Sequence, residues 1–599
     1  MWYNKHVCIR RFFMTLDGLT LYTCVAELQE KCRDAKIQKV LMPGKEELVF
    51  QLYSAAEGTL RLTISADAGD CSLYLTSHTK ENPKVPPAFC MFLRKYLTGA
   101  RIADITQRGL DRVVVFTLET KDEMLHPITL RLIVEIMGKY SNIILVNAEN
   151  RILDSIRRVS VDVSSKRQIL PGAVYDDPPQ EKLNPLTLSL GTLTEALHTK
   201  RDTKIVSHIV SVFDGISLQT AQEVLYRAGI DETMTGALCG KQLERIARAL
   251  HDFLTNAVAH PLPCIQRNAD MLPVFFSCVP YETYPEQTRK SFATVNEMLD
   301  YYYSKRLMIF RMTQQRDALY KTVHKIYAKL LKLIGVYEAT LRDAAKAEKL
   351  QKRADLITAN IYRLKKGMQS FEAVDYETGE NVSVALDVSR SPQETAQKLY
   401  KKIGKLKTAA LINQKKLADA REEQEFLEGV LHFTENARST DEISEIRLTL
   451  VRAGYLAPPP KNKKEPEIQS HPLHYVSPTG YEIFVGKNDR QNEQLTMRDA
   501  AKDDIWFHAQ KTPGSHVLLV TGGTDLNDID DETVVMAAEL AAAHSRARQS
   551  GKTAVDYTQR KNIKKPPAAR PGKVIYDDYF TVYVDAANGT RRIPEEENE

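Results

Sequence analysis

A chain of 599 residues, 43% apolar and 27% charged, is too long for a single core and too apolar for a disordered polymer. Several globular parts are therefore expected, at about 100–200 residues each. Its eight cysteines form no CxxC pair and none follows Cys278, which argues against a disulfide framework or a structural zinc site and leaves buried, reduced thiols. No stretch reaches the roughly 20 apolar residues that span a bilayer, and the opening MWYNKHVCIRRFFM lacks an apolar signal core and a cleavage site. A cytoplasmic protein with no membrane partner is expected. MTLDGLTLY from Met14 reads as a domain start, with residues 1–13 as a possible upstream-start extension.

In chain order, residues 14–185 alternate short apolar runs with turns, as in VLMPGKEELVFQLY, LRLTISA, RVVVFTLET, LRLIVEIM and NIILVNAENRILDSI, behind a first helix near Leu19–Arg33. An α+β domain is predicted, ending in the proline-marked LPGAVYDDPPQEKLNP. Residues 186–305 are expected to be helical. Within them VSVFDGISLQTAQEVLYRAG resembles a helix-hairpin-helix, with Gly215-Ile216-Ser217 as a turn able to offer backbone N–H groups to a phosphate. A short apolar turn between packed helices explains the same residues.

Residues 306–440 read as a coiled coil. Leu319, Val323, Ile326, Leu330, Leu333 and Tyr337 keep a 4-3 spacing, and a second run from Leu399 through Ile403, Leu406, Ala410, Asn413, Leu417, Ala420, Gln424 and Leu427 to Leu431 does the same. The turn TGEN between them predicts a small β tip, hence an antiparallel hairpin arm. An oligomerisation coil is the alternative. The net charge is only +5, yet residues 306–370 carry 15 Lys+Arg against 5 Asp+Glu, a net of +10, so one element holds the positive field. Residues 441–472 end in the Pro/Lys-rich LAPPPKNKKEPEIQSHP, read as a linker, and residues 473–599 form a further α+β unit with the acidic tail EEENE.

Four clusters carry candidate chemistry. Asp111 and Arg112 open a strand in GLDRVVVF, where adjacent opposite charges equally suit a solvated strand end. Glu135, Ile136 and Met137 precede Gly138, Lys139, Tyr140, Ser141 and Asn142, a grouping suited to close approach of a sugar-phosphate backbone or to a tight turn. In DDIWFHAQKTPGSHVLLV, the rings of Trp506, Phe507, His508 and His516 suggest stacking on RNA bases, beside Gln510 and Lys511. The two histidines lack a third metal ligand, and Ser515-His516 lacks an acid partner for hydrolysis. Last, YTQRKNIKKPPAARPGKVIY displays Arg560, Lys561, Lys564, Lys565, Arg570 and Lys573 without one acid, which implies a polyanion and salt-sensitive binding.

The wording and order of MTLDGLTLY, ENPKVPPAFCMFLRKYL, GLDRVVVF, VEIMGKYSNIIL, SPQETAQKLYKKIGKLK, DDIWFHAQKTPGSHV and YTQRKNIKKP resemble bacterial RqcH proteins of the NFACT family, from about Met14 to Ala586. That resemblance implies a multidomain α+β protein: a glycosylase-like N-terminal domain, a helix-hairpin-helix segment, a coiled-coil hairpin and a C-terminal RNA-binding domain. It implies a factor that binds large ribosomal subunits carrying peptidyl-tRNA, recruits alanyl-tRNA and, with a small RqcP-like RNA-binding protein, sustains template-free alanine tailing that marks the nascent chain for degradation. The ribosome would supply the peptidyl-transferase chemistry, so neither a catalytic residue nor a cofactor is expected of the chain. Asp111, Arg112, Glu135, Ile136 and Met137 are implied to serve tRNA recruitment. Trp506, Phe507, His508, His516, Arg560, Lys561, Lys564 and Lys565 fall in the part implied to bind RNA, rRNA included. Ala568 departs from the glycine common at its place in the family. Two alternatives stand beside this: a nucleic-acid enzyme of glycosylase-like fold, which would call for an N-terminal Pro-Glu rather than Met14-Thr15-Leu16-Asp17, and a surface fibronectin-binding adhesin, which would call for an export signal.

Overall fold

The computed structural model describes residues 16–162, 167–198, 203–234, 238–268, 271–458, 470–567, 569–592 and 594. The possible extension 1–13, most of the Pro/Lys linker, Ala568 and the acidic tail lie outside them. The chain divides into two compact units, Met1–Ile309 and Phe310–Glu599, each with its own core.

In the first unit, Asp17 caps α1 (Gly18–Cys32) by accepting a hydrogen bond from the Thr20 amide at 2.8 Å. There follow β1 (Lys36–Gly44), β2 (Glu47–Ser54), β3 (Gly58–Ser65), β4 (Ser72–Leu75), α2 (Ala88–Leu97), β5 (Arg101–Gln107), β6 (Val113–Lys121), β7 (Pro127–Glu135), β8 (Asn142–Val146) and β9 (Ile152–Ser155). The strands make one antiparallel sheet in the order β4-β3-β2-β1-β5-β6-β7-β8-β9, two meanders joined where Lys36 pairs with Arg101. Both α1 and α2 lay apolar faces on it, and their leucines and cysteines merge into the main core. Cys24, Cys32, Cys71, Cys90, Cys264 and Cys278 are buried and reduced, while Cys239 is exposed.

Four helices come next, α3 (Leu190–Ala196), α4 (Ile205–Val212), α5 (Leu218–Ala228) and α6 (Gly240–Ala259). Ser217 caps α5 at its start and Gly229, at φ 64°, ends it, so serine and glycine frame that helix as capping chemistry requires. The expectation of an all-helical segment to residue 305 is corrected. Residues 264–291 form a three-stranded antiparallel sheet of β10 (Cys264–Arg267), β11 (Pro273–Ser277) and β12 (Arg289–Ser291), in the order β11-β10-β12. Prolines 261, 263, 273, 280 and 285 deny this stretch a continuous helix.

The division between the units falls within a 50-residue helix, α7 (Val295–Ala344). It is followed by α8 (Ala347–Ala359), a hairpin of β13 (Ser370–Val374) and β14 (Asn381–Ala385), and the 45-residue α9 (Pro392–Asn436). Ser391 and Glu394 close a capping box with Pro392 in the first turn, a strong start signal. Beyond residue 309, hydrogen bonds Tyr327–Glu428, Glu338–Arg421 and Asp355–Tyr400 fix the outgoing and returning helices as antiparallel. The seam differs from a strict heptad. Leu319, Val323, Leu330 and Ile334 are buried while Leu333 is 44% exposed, because 3.6 residues per turn drift off a seven-residue repeat.

After α10 (Thr440–Arg452) comes the C-terminal sheet of β15 (Leu473–Val476), β16 (Glu482–Val485), β17 (Ile505–Ala509), β18 (Val517–Leu519), β19 (Lys552–Gln559) and β22 (Phe580–Asp585), in the order β15-β16-β18-β17-β19-β22. The strands β20 (Ile563–Lys564) and β21 (Ile575–Tyr576) pair separately. One face of the sheet is covered by α12 (Asp531–Ala543), while α11 (Asp489–Gln494), continued by a π-helical turn over Leu495–Asp499, lies earlier in the chain, between β16 and β17. No described helix is long and apolar enough to cross a membrane.

Candidate nucleic-acid interface

Asp111 and Arg112 occupy the turn between β5 and β6, and Glu135, Ile136 and Met137 leave the end of β7. The two motifs meet: Val113 pairs with Glu135 across the strands, and the Ile136 amide donates to the Arg112 carbonyl at 2.8 Å. Their side chains serve different ends. One Asp111 carboxylate oxygen accepts from the Arg112 amide at 2.7 Å and the other from Arg108 at 2.5 Å, while Arg108 also reaches the Pro178 carbonyl and Asp177. Asp111 is therefore a fastener of its own turn. The Arg112 guanidinium, half-buried, makes no hydrogen bond or ion pair with any described residue.

Glu135 is only 1% exposed and takes a bidentate bond from Arg167, at 2.6 and 2.9 Å, plus one from the Tyr175 hydroxyl at 2.9 Å. Ile136 is fully buried. Direct RNA contact expected of these two is corrected: one is a satisfied interior ion pair and the other is core, and both hold the strand end on which Arg112 sits. Met137 is half-buried, its amide held by Ser141. Ser141 and Asn142 are buried too, leaving Lys139 and Tyr140 as the outward part of that cluster, with the Lys139 ammonium 4.8 Å from the centre of a ring that is 71% exposed.

A third segment, not marked as a partner of Arg112 by spacing alone, completes this surface. Leu110 wedges between the start of α1 and the Gly215 turn ahead of α5. A Cβ on Gly18 would meet the Leu110 oxygen at 1.9 Å and the Gly215 Cα at 2.5 Å. Gly215, at φ 71°, also sits where a side chain would be strained. Asp17 lies buried in this junction beside Thr220, and burial raises its pKa against the opposing pull of the Arg112 charge. The available signal is the dipeptide Asp-Gly, present at 17–18 and at 214–215 just ahead of helices. The turn proposed to hold a phosphate thus packs inward on α1, the alternative reading of an apolar turn between packed elements.

In the second unit, Phe507 points into the core beneath α12, while Trp506 and His508 project from the opposite face of β17. Trp506 is 1% exposed and packs between His508, His516 and Tyr576, with ring centres 5.6, 5.1 and 4.9 Å away. Stacking of Trp506, Phe507 and His516 on bases is therefore corrected, since all three are sealed within the domain. His516 bonds Thr496 at 2.7 Å, and burial holds it well below its usual pKa, as it holds His508 down at about 4. Both rings are neutral near pH 7. The Trp506 indole N–H is buried without a partner among the described residues.

The basic segment forms a short 3₁₀ turn at Arg560–Asn562 and then β20, instead of a fully extended run. Acids from elsewhere in the unit approach it: Asp503 at Lys561, Asp577 at Lys564, Glu493 at Lys565, and Glu422 with Glu425 at Lys573. Arg560 turns inward to the Ile563 carbonyl. The one-sided charge of the segment is thus moderated in space, with Lys561, Lys564, Arg570 and Lys573 exposed and Arg560 and Lys565 half-buried. On the outgoing arm helix, Lys321, Lys325, Lys329 and Lys332 form an exposed ridge with no ion pair to any described residue.

With this geometry in hand, comparison with known proteins is specific. The family described as NFACT N-terminal and middle domains matches residues 17–469, and that described as the NFACT protein RNA binding domain matches residues 471–578. The chain is 33% identical to the Rqc2 homolog RqcH of Bacillus subtilis over 577 residues, covering 95% of this chain and 98% of that protein. It is 34% identical to the Rqc2 homolog RqcH of Streptococcus suis over 574 residues, again covering 95% and 98%. Among solved structures, the N-terminal part of the fibronectin/fibrinogen-binding protein from Streptococcus suis is 33% identical and covers 48% of this chain and 99% of that one, at a TM-score of 0.41.

Proposed function

The chain belongs to the NFACT family, among its bacterial RqcH proteins, and from that premise we propose that it is a ribosome quality-control factor that binds large subunits still carrying peptidyl-tRNA, recruits alanyl-tRNA and directs template-free alanine tailing. The observation that carries this reading is the near-complete, end-to-end similarity to RqcH proteins. In this reading the ribosome performs peptide-bond formation and the chain is not itself an enzyme. Its tasks are to hold RNA and to position it, with an RqcP-like protein as the second factor.

Arg112 is the residue best disposed for tRNA. Its carbonyl is locked by Ile136 and its neighbour Asp111 is spent on Arg108, so its guanidinium is presented on a strand end with no carboxylate of the described residues bonded to it. A planar fork of donors so held suits a phosphate or a base edge. The lysine ridge of the arm suits a longer stretch of rRNA backbone.

The test is Arg112→Ala alone. Expected is loss of nearly all the tRNA recovered with the tagged protein on large subunits, with subunit attachment retained. Unchanged tRNA recovery removes Arg112 from the mechanism. The single change is the cleaner probe, because replacing Asp111 as well would release Arg108 and loosen the turn.

A further inference from the structure

Within the second unit, a cleft of about 560 Å³ is bounded by α10, by α11 with its π-helical extension, and by the loop at residues 570–571. Arg452, Arg490, Arg498 and Arg570 line it. The first three are exposed and make no hydrogen bond or ion pair with any described residue. The Arg570 guanidinium sits over the Phe426 ring, 4.4 Å from its centre. Among the described lining residues the only carboxylate is Glu493, whose charge Lys565 already meets at 2.8 Å.

Four guanidinium groups converging on one concavity repel one another unless an anion joins them, and proteins ordinarily interleave acids at such density. The fork geometry of arginine matches the paired oxygens of a phosphate, and a guanidinium plane backed by an aromatic ring is a surface on which a base stacks. We propose that this cleft is a binding site for the phosphodiester backbone of a single RNA strand, with Arg452, Arg490 and Arg498 on successive phosphates and Arg570 under a base. It places RNA recognition in the C-terminal part of the chain at this arginine cleft and not at the sealed Trp506 layer. The inference rests on the reading of the chain as an RNA-binding factor and deepens it.

The experiment measures anisotropy of a fluorescein-labelled oligouridylate of about 12 nucleotides, within the length that single-strand binding sites usually cover, against full-length protein over a range of salt. In Arg452→Gln/Arg490→Gln/Arg498→Gln, affinity falls on the order of tenfold or more, and the log–log salt slope drops by about 2, at about 0.7 per lost phosphate contact on a single strand. The matching triple lysine variant, which keeps the charge, retains most of the slope. A 5′-phosphate on the probe changes nothing, because internal phosphodiesters are bound, and polyglutamate of equal charge competes poorly. Equal affinity and slope in the glutamine variant overturn the cleft while leaving RNA binding elsewhere intact. Dependence on the 5′-phosphate, or displacement by polyglutamate as effective as by RNA, assigns the cleft to a free phosphate or an acidic protein and also overturns it. Absence of any RNA binding by the unaltered protein removes the broader reading together with this one.

Discussion

The strand end at Glu135 and the middle strand at Trp506 draw attention for similar reasons, being polar or aromatic groups in dense clusters, and both prove to be interior. They differ in how burial is met. Glu135 has both oxygens satisfied, by Arg167 and Tyr175, whereas the Trp506 indole N–H has no partner among the described residues and the neighbouring histidines give up their protons instead. In the first unit a buried carboxylate is paired with an arginine; in the second the histidines are held neutral, while the carboxylate beside them, Asp556, is kept by hydroxyl donors from Tyr576 and Thr581. In both, the cations left for a polyanion are on the rim.

The largest expected effect strikes the paired charge. Glu135→Ala leaves Arg167 without its carboxylate, at a cost of about 3–5 kcal/mol. Thermal unfolding of the first unit then falls well below that of the unaltered protein, and a drop no greater than an ordinary surface substitution gives would mean that the pair is solvated. Glu135→Gln, which keeps an acceptor for Tyr175, costs less. Next comes Gly18→Ala, where the new methyl meets backbone atoms of Leu110 and Gly215 that have no room to yield. Overpacking of this kind costs about 1–3 kcal/mol. Limited proteolysis between residues 107 and 112 reports the displaced turn, and an unchanged cleavage pattern would refute the wedge.

The smallest effect sharpens the contrast from the other side. His508 titrates at about 4 in the folded chain because burial disfavours its charge, while an unfolded histidine titrates near 6.5. Between those values the unfolded state binds the extra proton, so stability is complete above about pH 6.5 and declines as pH falls toward 4. His544, held at about 3 by burial, adds to the same loss and extends it lower. The chain has two tryptophans, so with Trp2 replaced by Phe the Trp506 emission reports this unit alone. The emission-monitored melting temperature declines from pH 6.5 to 4.5, and His508→Phe shallows the decline; a flat profile would show the rings to be solvated.

Much of the architecture was legible. The strand runs before residue 156, the helix at Leu19–Arg33, the long arm helices and the turn at Thr378–Asn381 all carry local signals, since period and capping residues act over a few positions. Less visible was what depends on distant packing. Nothing adjacent in sequence tells that Glu135 meets Arg167 and Tyr175, that Leu110 fills the space between two Asp-Gly turns, or that acids far along the chain fold back on Lys565 and Lys573. Residue type marked Trp506 and His516 as eye-catching, but burial decides whether an aromatic ring meets a base or a core, and burial is a property of the whole unit. The three-stranded sheet at 264–291 escaped for a related reason: strands of three to five residues show too few alternations to stand out.

The departure of the arm seam from seven-residue spacing has a mechanical meaning. From Val323 through the half-buried Ile326 and Leu330 to Ile334 the seam positions step by 3, 4 and 4, an eleven-residue unit of about 3.67 residues per turn. Where a strict heptad winds two helices into a left-handed rope, an eleven-residue unit turns slightly the other way, so the left-handed winding is relaxed over this stretch.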